Sequence, residues 1–371
     1  MSDRPLTILQ TLPALAGGGV ERGTLEVSDE IVRRGWRSIV VSAGGRMVAD
    51  LEAGGATHIA MPIGAKGPRA LGCIKRLQRI LRDERVDVLH ARSRMPAWVS
   101  VLALRRMREA GRPALVTTVH GLHSVSRYSA VMTRGEVVIA VSESVRAYIK
   151  REYPATDMSR VVVIPRGVDP GAFPRGYQPT EAWREAFFGQ HPALEGRPIA
   201  TIVGRLTRLK GHLDFLDAIA HARTLGVNVA GLVVGDEDPR RKAYAGEVRT
   251  RAAAVGGVVF AGHRSDVREI DAISDVVVSL STKPESFGRA ALEALAMGTP
   301  VVGYDHGGVG EVLAEMLPAG RVALGDARAA GERIASFVHE RPEVRAHDRF
   351  TLRAMLDKTM AVYAQLGSVR R

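Results

Sequence analysis

The sequence predicts an α/β protein of two successive domains, each a doubly wound parallel sheet. Three observations carry that fold class. A chain of 371 residues is longer than one core ordinarily serves. Short β-branched runs alternate with amphipathic stretches, and the series of strands pauses once and then restarts. The strands read as nearly continuous apolar runs, the pattern of a parallel sheet covered by helices on both faces.

In chain order, "LTILQTL", "RSIVVSA", "HIAMPI", "VDVLHA", "ALVTTVH", "VVIAVS" and "VVVIPRGV" are the first set of strands. "GVERGTLEVSDEIVRRG" and "LGCIKRLQRILRDER" are helix-like segments among them. The stretch "PRGVDPGAFPRGYQPTEAWREAFFGQHPALEGRP" is rich in Pro and Gly and reads as a linker and hinge. The strands resume with "IATIVG", "VAGLVVG", "GVVFAG", "DVVVSLS" and "TPVVGY". A closing helix-like segment, "FTLRAMLDKTMAVYAQL", could cap either domain. The expected division is a first Rossmann-like domain over 1–173 and a second over 174–348, with ligands collecting outside the carboxyl ends of the strands.

Composition narrows the class. Hydrophobic residues make up 46% of the chain and charged residues 25%, as in soluble globular proteins. The single cysteine, Cys73, excludes an internal disulfide framework and suits a cytoplasmic location. The start "LTILQTLPALAGGG" holds Ala14-Leu15-Ala16, which looks like a signal-peptidase site. Gln10 and Pro13 interrupt its apolar run, so the expectation is a structured strand and not a cleaved signal. No uncharged apolar run approaches the roughly 20 residues that span a bilayer.

The formal charge is +12, and it is lopsided: residues 1–170 hold 26 Lys/Arg against 16 Asp/Glu. Such asymmetry fits a half that faces an anionic partner, and it equally fits a general arginine bias. In "IKRLQRILRDER", Ile74, Leu77, Ile80 and Leu81 form a stripe flanked by Lys75, Arg76, Arg79 and Arg82. An ordinary solvated helix accounts for this, and so does a peripheral dock for anionic lipid. The aromatics are few and do not interleave with the basic clusters, so no nucleic-acid partner is expected.

Two stretches carry chemistry. In "IATIVGRLTRLKGHLDFLDAIAHA" a strand ends at Gly204, and Arg205 and Lys210 flank a short loop before a helix begins near His212. A guanidinium fork and an ammonium at a strand's carboxyl end suit a diphosphate; taken alone, they also suit a solvated loop. In "PESFGRAALEALAMGTPVV" a helix starts after a Phe-Gly-Arg turn and is stopped by Gly298 and Pro300. The amides near Phe287, Gly288, Arg289 and Ala290 then form an anion site at a helix N-terminus. Glu285 and Glu293 stand on either side as acceptors for the hydroxyls of sugars attached to a diphosphate. A dipole-favoured acid and an unrelated surface glutamate are the plainer account of each alone.

The spacing Glu285-x7-Glu293, preceded by "VGRLTRLKG", resembles the GT-B retaining glycosyltransferases of family 4. The resemblance extends through "GGGVERGTLEVSDEIVRRG", "VDVLHARS", "TTVHG", "AVSESV", "VIPRGVD", "VVGDED" and "FAGHRSDV". It implies that Glu293 holds the ribose hydroxyls of the nucleotide and that Glu285 contacts the transferred sugar. It implies that Arg205 and Lys210, at the strand end marked by Gly204, neutralise the departing diphosphate. Gly18 and Gly19 resemble the glycine loop that the first domain presents to phosphates and acceptor. His120 resembles a histidine beside the reacting sugar, and His90 is a weaker match. The helix from about Arg349 to Arg371 is assigned to the first domain by the same resemblance.

The implied reaction moves a hexose-like sugar from a UDP- or GDP-linked donor to a hydroxyl of a glycan or glycolipid, with retention and without a metal. Envelope polysaccharide or lipopolysaccharide core is the expected destination. "GDEDP" has an Asp-x-Asp form, but it ends a strand as a loop, and cations with helix amides already supply what a metal would. A GT-B epimerase or phosphorylase is the alternative, and no cofactor lysine favours the latter.

Overall fold

The structure, a computed structural model, describes residues 4–109, 111–238 and 241–369. It divides into two compact units, Met1–Pro165 with Arg353–Arg371, and Arg166–Leu352.

The first unit is built on seven strands: β1 (Thr7–Thr11), β2 (Arg37–Ser42), β3 (Thr57–Ala60), β4 (Val88–Ala91), β5 (Ala114–Val119), β6 (Val137–Ala140) and β7 (Val161–Val163). They lie in the order β3-β2-β1-β4-β5-β6-β7, every pair parallel. All residues of β1, β4 and β5 are buried, because helices cover both faces. Those helices are α1 (Gly19–Arg33), α2 (Val48–Ala53), α3 (Pro68–Asp83), α4 (Arg94–Leu104) and α5 (Glu143–Glu152). In α3 the residues Cys73, Ile74, Leu77 and Leu81 recur at helical spacing and are buried in the core. The apolar stripe therefore faces inward, and the exposed face carries Lys75, Arg76, Arg79 and Arg82. The Ser142 hydroxyl accepts from the Val145 amide at 3.1 Å and starts α5.

The last helix, Leu352–Val369, belongs to this unit from Arg353 onward. Its Tyr363 is fully buried, with the hydroxyl 2.6 Å from His90 Nδ1, and its Asp357 accepts from Arg34 at 2.6 Å. The other His90 nitrogen lies 2.6 Å from the Thr118 hydroxyl. His90 thus uses both ring nitrogens inside the core of the unit.

The second unit has six parallel strands: β8 (Ile199–Val203), β9 (Ala230–Val234), β10 (Val258–Gly262), β11 (Val276–Ser279), β12 (Val301–Tyr304) and β13 (Arg321–Val322). Their order is β10-β9-β8-β11-β12-β13. Around them pack α6 (Glu181–Gln190), α7 (His212–Thr224), α8 (Lys242–Val255), α9 (Val267–Ile273), α10 (Arg289–Met297), α11 (Gly307–Met316) and α12 (Ala327–His339), with the terminal helix of the first unit becoming α13.

Two expectations change here. The Pro/Gly-rich stretch is not a bare linker. Thr180 caps α6 within it, and Trp183 stacks on Phe187 at 4.8 Å over a cluster with Ile199 and Leu232. The flanking prolines and glycines masked a single short helix. The residues from Arg166 onward also group with the second unit, so the expected boundary at residue 173 falls inside it. The two-residue strand β13 has too few residues to show a pattern in sequence.

In both sheets the chain works outward from a first strand and then returns to that strand's other side. The reversal falls between β1 and β4, and again between β8 and β11. Loops leaving adjacent strands in opposite directions open a crevice at that point, where ligands bind in open α/β sheets.

Candidate functional site

The switch point of the second unit brings together the loop after β8 and the loop after β11. Gly204 follows β8 at φ 154, and a Cβ there would lie 3.0 Å from Lys210 Cε. Gly211 closes the loop at φ 72, where a Cβ would meet the Leu280 carbonyl oxygen at 1.9 Å. The Thr282 amide donates to the Leu209 carbonyl at 2.8 Å. The two loops are therefore stitched backbone to backbone, and Lys210 reaches the acid of its neighbour.

That acid is Glu285. Lys210 Nζ lies 2.7 Å from Glu285 Oε1, and the Ser281 hydroxyl donates to the same oxygen. His306 Nε2 in turn donates to the Ser281 carbonyl at 2.7 Å. Burial alone would push the Glu285 pKa up; the Lys210 charge and hydrogen bond, the Ser281 hydroxyl and His306 outweigh it and hold the carboxyl below its ordinary value. Arg205 is placed differently. It is exposed, makes no ion pair among the described residues, and lines a cavity of about 970 Å³ with Asp236, Arg249 and Phe260.

Helix α10 begins beside this pair. Its N-cap, Gly288, is left-handed at φ 83, and no side chain caps the first turn. The opening amides of a helix have no intrahelical partner and carry its positive dipole end. Gly288 is required twice over, because a Cβ would also strike Val309 Cγ2 at 2.4 Å. The glycine turn that starts α11 presses on the same loop: the Gly308 amide donates to the Glu285 carbonyl at 2.8 Å. Lys210, Glu285, Gly288 and Ala290 line one small cavity. Phe287 contributes only backbone, since its ring is buried against Phe350 at 5.9 Å.

Glu293 sits one turn into α10, buried, with Arg289 Nε donating to it at 2.9 Å. Behind it, in α9, Asp271 is fully buried and neither carboxyl oxygen has a hydrogen-bond partner. Burial first, and the charge of Glu293 second, push the Asp271 pKa well above its ordinary value.

The first unit presents its own residues at the carboxyl ends of its strands. Gly18 is the N-cap of α1 at φ 135, and a Cβ there would lie 2.8 Å from Glu21 Oε2; Gly19 faces open space. His120 follows β5 directly and is half-buried. Arg92, just past β4, is buried and donates to Gln10 Oε1 at 2.6 Å.

The Asp-x-Asp loop is occupied by cations of its own. Glu237 pairs with Arg249 at 2.6 Å and Asp238 with Arg241 at 3.6 Å. Among the described residues no group of three or more His, Cys, Asp or Glu side chains could hold a metal ion.

Sequence reasoning missed Ser281, His306 and the Gly307-Gly308 turn. Each acts through Glu285 and not on its own account. The only signal for them in sequence is a second glycine-led helix start following the next strand.

Two Rossmann-type sheets in one chain, each with a switch point, are the architecture of the GT-B fold. The family model described as Glycosyltransferase Family 4 matches residues 17–172, and that described as Glycosyl transferases group 1 matches residues 184–351. The chain belongs to the family 4 type of GT-B glycosyltransferases. A glycosyltransferase structure from Rickettsia africae superposes with a TM-score of 0.82 at 29% identity, covering 98% of each chain. The HepE protein of Anabaena, crystallised with UDP and glucose, superposes with a TM-score of 0.80 at 20% identity, over 97% of this chain and 100% of that one. The alpha-maltose-1-phosphate synthase of Mycolicibacterium smegmatis is 31% identical over 210 residues, 55% of this chain and 53% of that protein. The chain thus spans about half the length of the curated relatives it matches.

Proposed function

We propose that the protein transfers a hexose-like sugar from a nucleoside diphosphate donor to a hydroxyl of a glycan or glycolipid, with retention of the anomeric configuration. The observation that carries the reading is the Lys210–Glu285 pair at 2.7 Å beside the uncapped start of α10. A cation, a helix start without a side-chain cap and an acceptor carboxylate then face one crevice. Arg205, Lys210 and the α10 amides take the diphosphate, Glu285 takes hydroxyls of the sugar, and Glu293 takes those of the ribose. The crystallisation of the Anabaena relative with UDP and glucose supports a UDP-linked donor.

Catalysis rests on stabilising the negative charge that develops as the glycosyl–phosphate bond breaks. Fixed cations and amides do this with little reorganisation, so the reaction proceeds without a metal. The departing phosphate oxygen takes the acceptor proton on the same face from which it leaves, and the configuration is kept. Gly18, Gly19 and His120 are assigned to phosphate and acceptor binding. The acceptor is a hydroxyl of an envelope polysaccharide or lipopolysaccharide core, and the cationic face of α3 holds the enzyme against the anionic membrane that carries it.

Thermal-shift measurements with UDP-, GDP- and ADP-sugars, followed by transfer assays with NMR assignment of the product anomer, test the reading. Stabilisation by one donor class and an α-linked product from an α-linked donor are expected, with activity unchanged by chelator. Inverted product, or activity lost to chelator and restored by manganese, overturns it.

A further inference from the structure

Helix α11 holds the turn that starts α10 from both of its own ends. At its start, a Cβ on Gly308 would lie 2.2 Å from Phe287 Cα, so the backbone of the turn rests directly on that glycine. At its end, Glu315 fastens residues 341–350, a stretch with neither helix nor strand. Arg349 Nη1 donates to Glu315 Oε1, and His347 Nε2 lies 2.5 Å from Glu315 Oε2. The Arg349 amide donates to His347 Nδ1 at 2.9 Å. Nδ1 is then an acceptor, which assigns the ring hydrogen to Nε2, facing Glu315. Both oxygens of the carboxylate are engaged.

The two side chains held by Glu315 enclose a third. Phe350 is buried, with the His347 ring tilted on it at 5.2 Å and the Arg349 guanidinium over it at 5.4 Å. Its carbonyl accepts from the Val168 amide at 2.9 Å, which fixes the backbone as well. The ring then meets Phe287 edge-on, with centroids 5.9 Å apart and planes at 68°. Apolar burial has no direction, whereas hydrogen bonds and ion pairs impose one. The polar grip on Phe350 therefore sets where its ring meets Phe287. Phe287 immediately precedes Gly288, the left-handed N-cap of α10. It is pinned from two sides, its backbone by Gly308 and its ring by Phe350.

We infer that Phe350 is a positioning residue for the Phe287–Gly288 turn, set in place by Glu315 through His347 and Arg349, so that the opening amides of α10 are aimed before a ligand arrives. The consequence for a diphosphate rests on the proposed donor site; the hold on the turn rests on the contacts alone. Glu315, His347, Arg349 and Phe350 are assigned no contact with the donor and act through Phe287.

Phe350→Leu and Glu315→Ala, singly and together in the full chain, test it. The Leu292 and Gly308 amides donate to the Gly288 and Glu285 carbonyls at 3.1 and 2.8 Å, so their hydrogen exchange in the ligand-free protein reports the turn. UDP and GDP affinities are measured alongside. In Phe350→Leu we expect exchange of both amides to rise and nucleoside diphosphate affinity to fall, each about fivefold, the scale of one aromatic pair. Strands β8 and β9 should show no matching rise. Glu315→Ala should produce the same two changes, each about twofold because the apolar packing remains. In the double variant it should add nothing to Phe350→Leu, because both act through one contact. Unchanged exchange at the turn, a rise spread evenly over the second unit, or additive losses in the double variant would overturn the inference. Should Phe350→Leu not fold, Glu315→Ala decides the matter by the same two measurements. If the parent binds no nucleoside diphosphate at all, the donor reading fails while the exchange data still decide the role of Phe350.

Discussion

Lys210 Nζ lies 2.7 Å from Glu285 Oε1, so the cation proposed for the diphosphate pairs with the acid proposed for the sugar. The Lys210 charge favours the ionised form of Glu285 in a mostly buried place. On the proposed reading, donor binding exchanges partners: phosphate oxygens take Lys210, and sugar hydroxyls take Glu285. Lys210→Met removes the ammonium and keeps the stem. Turnover should fall about a hundredfold or more, the scale of one lost electrostatic donor, and stability by about 1–3 kcal/mol because a buried carboxylate is left unpaired. The folded state holds Glu285 below its ordinary value of 4.5. Its stabilisation is therefore present above that pH and is lost as acid protonates the folded carboxylate. Melting curves of parent and variant should differ most at neutral pH and converge as falling pH protonates the folded carboxylate, below its ordinary value of 4.5. A gap that is constant with pH would refute the pairing.

Arg205 is the contrasting cation, exposed and without an ion pair among the described residues. Arg205→Ala should leave the melting temperature nearly unchanged, within about 0.5 kcal/mol of stability. It should still cost about a hundredfold in turnover. Equal turnover to the parent would remove Arg205 from the cradle.

Asp271 makes a prediction of opposite sign. Its pKa is raised in the folded state, so folding takes up a proton and stability declines as pH climbs above the ordinary value of 3.8. Asp271→Asn cannot ionise in the unfolded chain and escapes that cost. The variant should be more stable than the parent at pH 7 by about 1 kcal/mol or more, a rise of roughly 2–4 °C in melting temperature. The advantage should vanish near pH 4. Coincident melting curves at pH 7 would show that Asp271 is not held protonated.

The exposed face of α3 predicts salt-sensitive membrane binding. Lys75, Arg76, Arg79 and Arg82 are exposed and make no ion pairs among the described residues. Each is worth about 1 kcal/mol near an anionic surface, and salt screens the attraction. The protein should sediment with phosphatidylglycerol vesicles at low salt, leave them as salt rises, and stay in solution when the four are changed to Gln. No binding to anionic vesicles at low salt would remove the membrane from the proposal.

The sequence by itself determined the two sheets and the main cast of the site. Apolar runs of four to six residues and helical stripes such as Cys73, Ile74, Leu77 and Leu81 record burial directly. Gly204, Gly211 and Gly288 mark backbone turns that a side chain would obstruct. Helix α6 was hidden because single-residue turn signals outweigh a ten-residue pattern. Only the tertiary structure decided which carboxylate meets which cation. Lys210 and Glu285 are 75 positions apart, and they meet because β8 and β11 become neighbours where the strand order reverses. Ser281, His306 and Asp271 likewise take their roles from what burial places beside them. A polar side chain's chemistry depends on its partners and its access to water, and both arise from packing distant segments together.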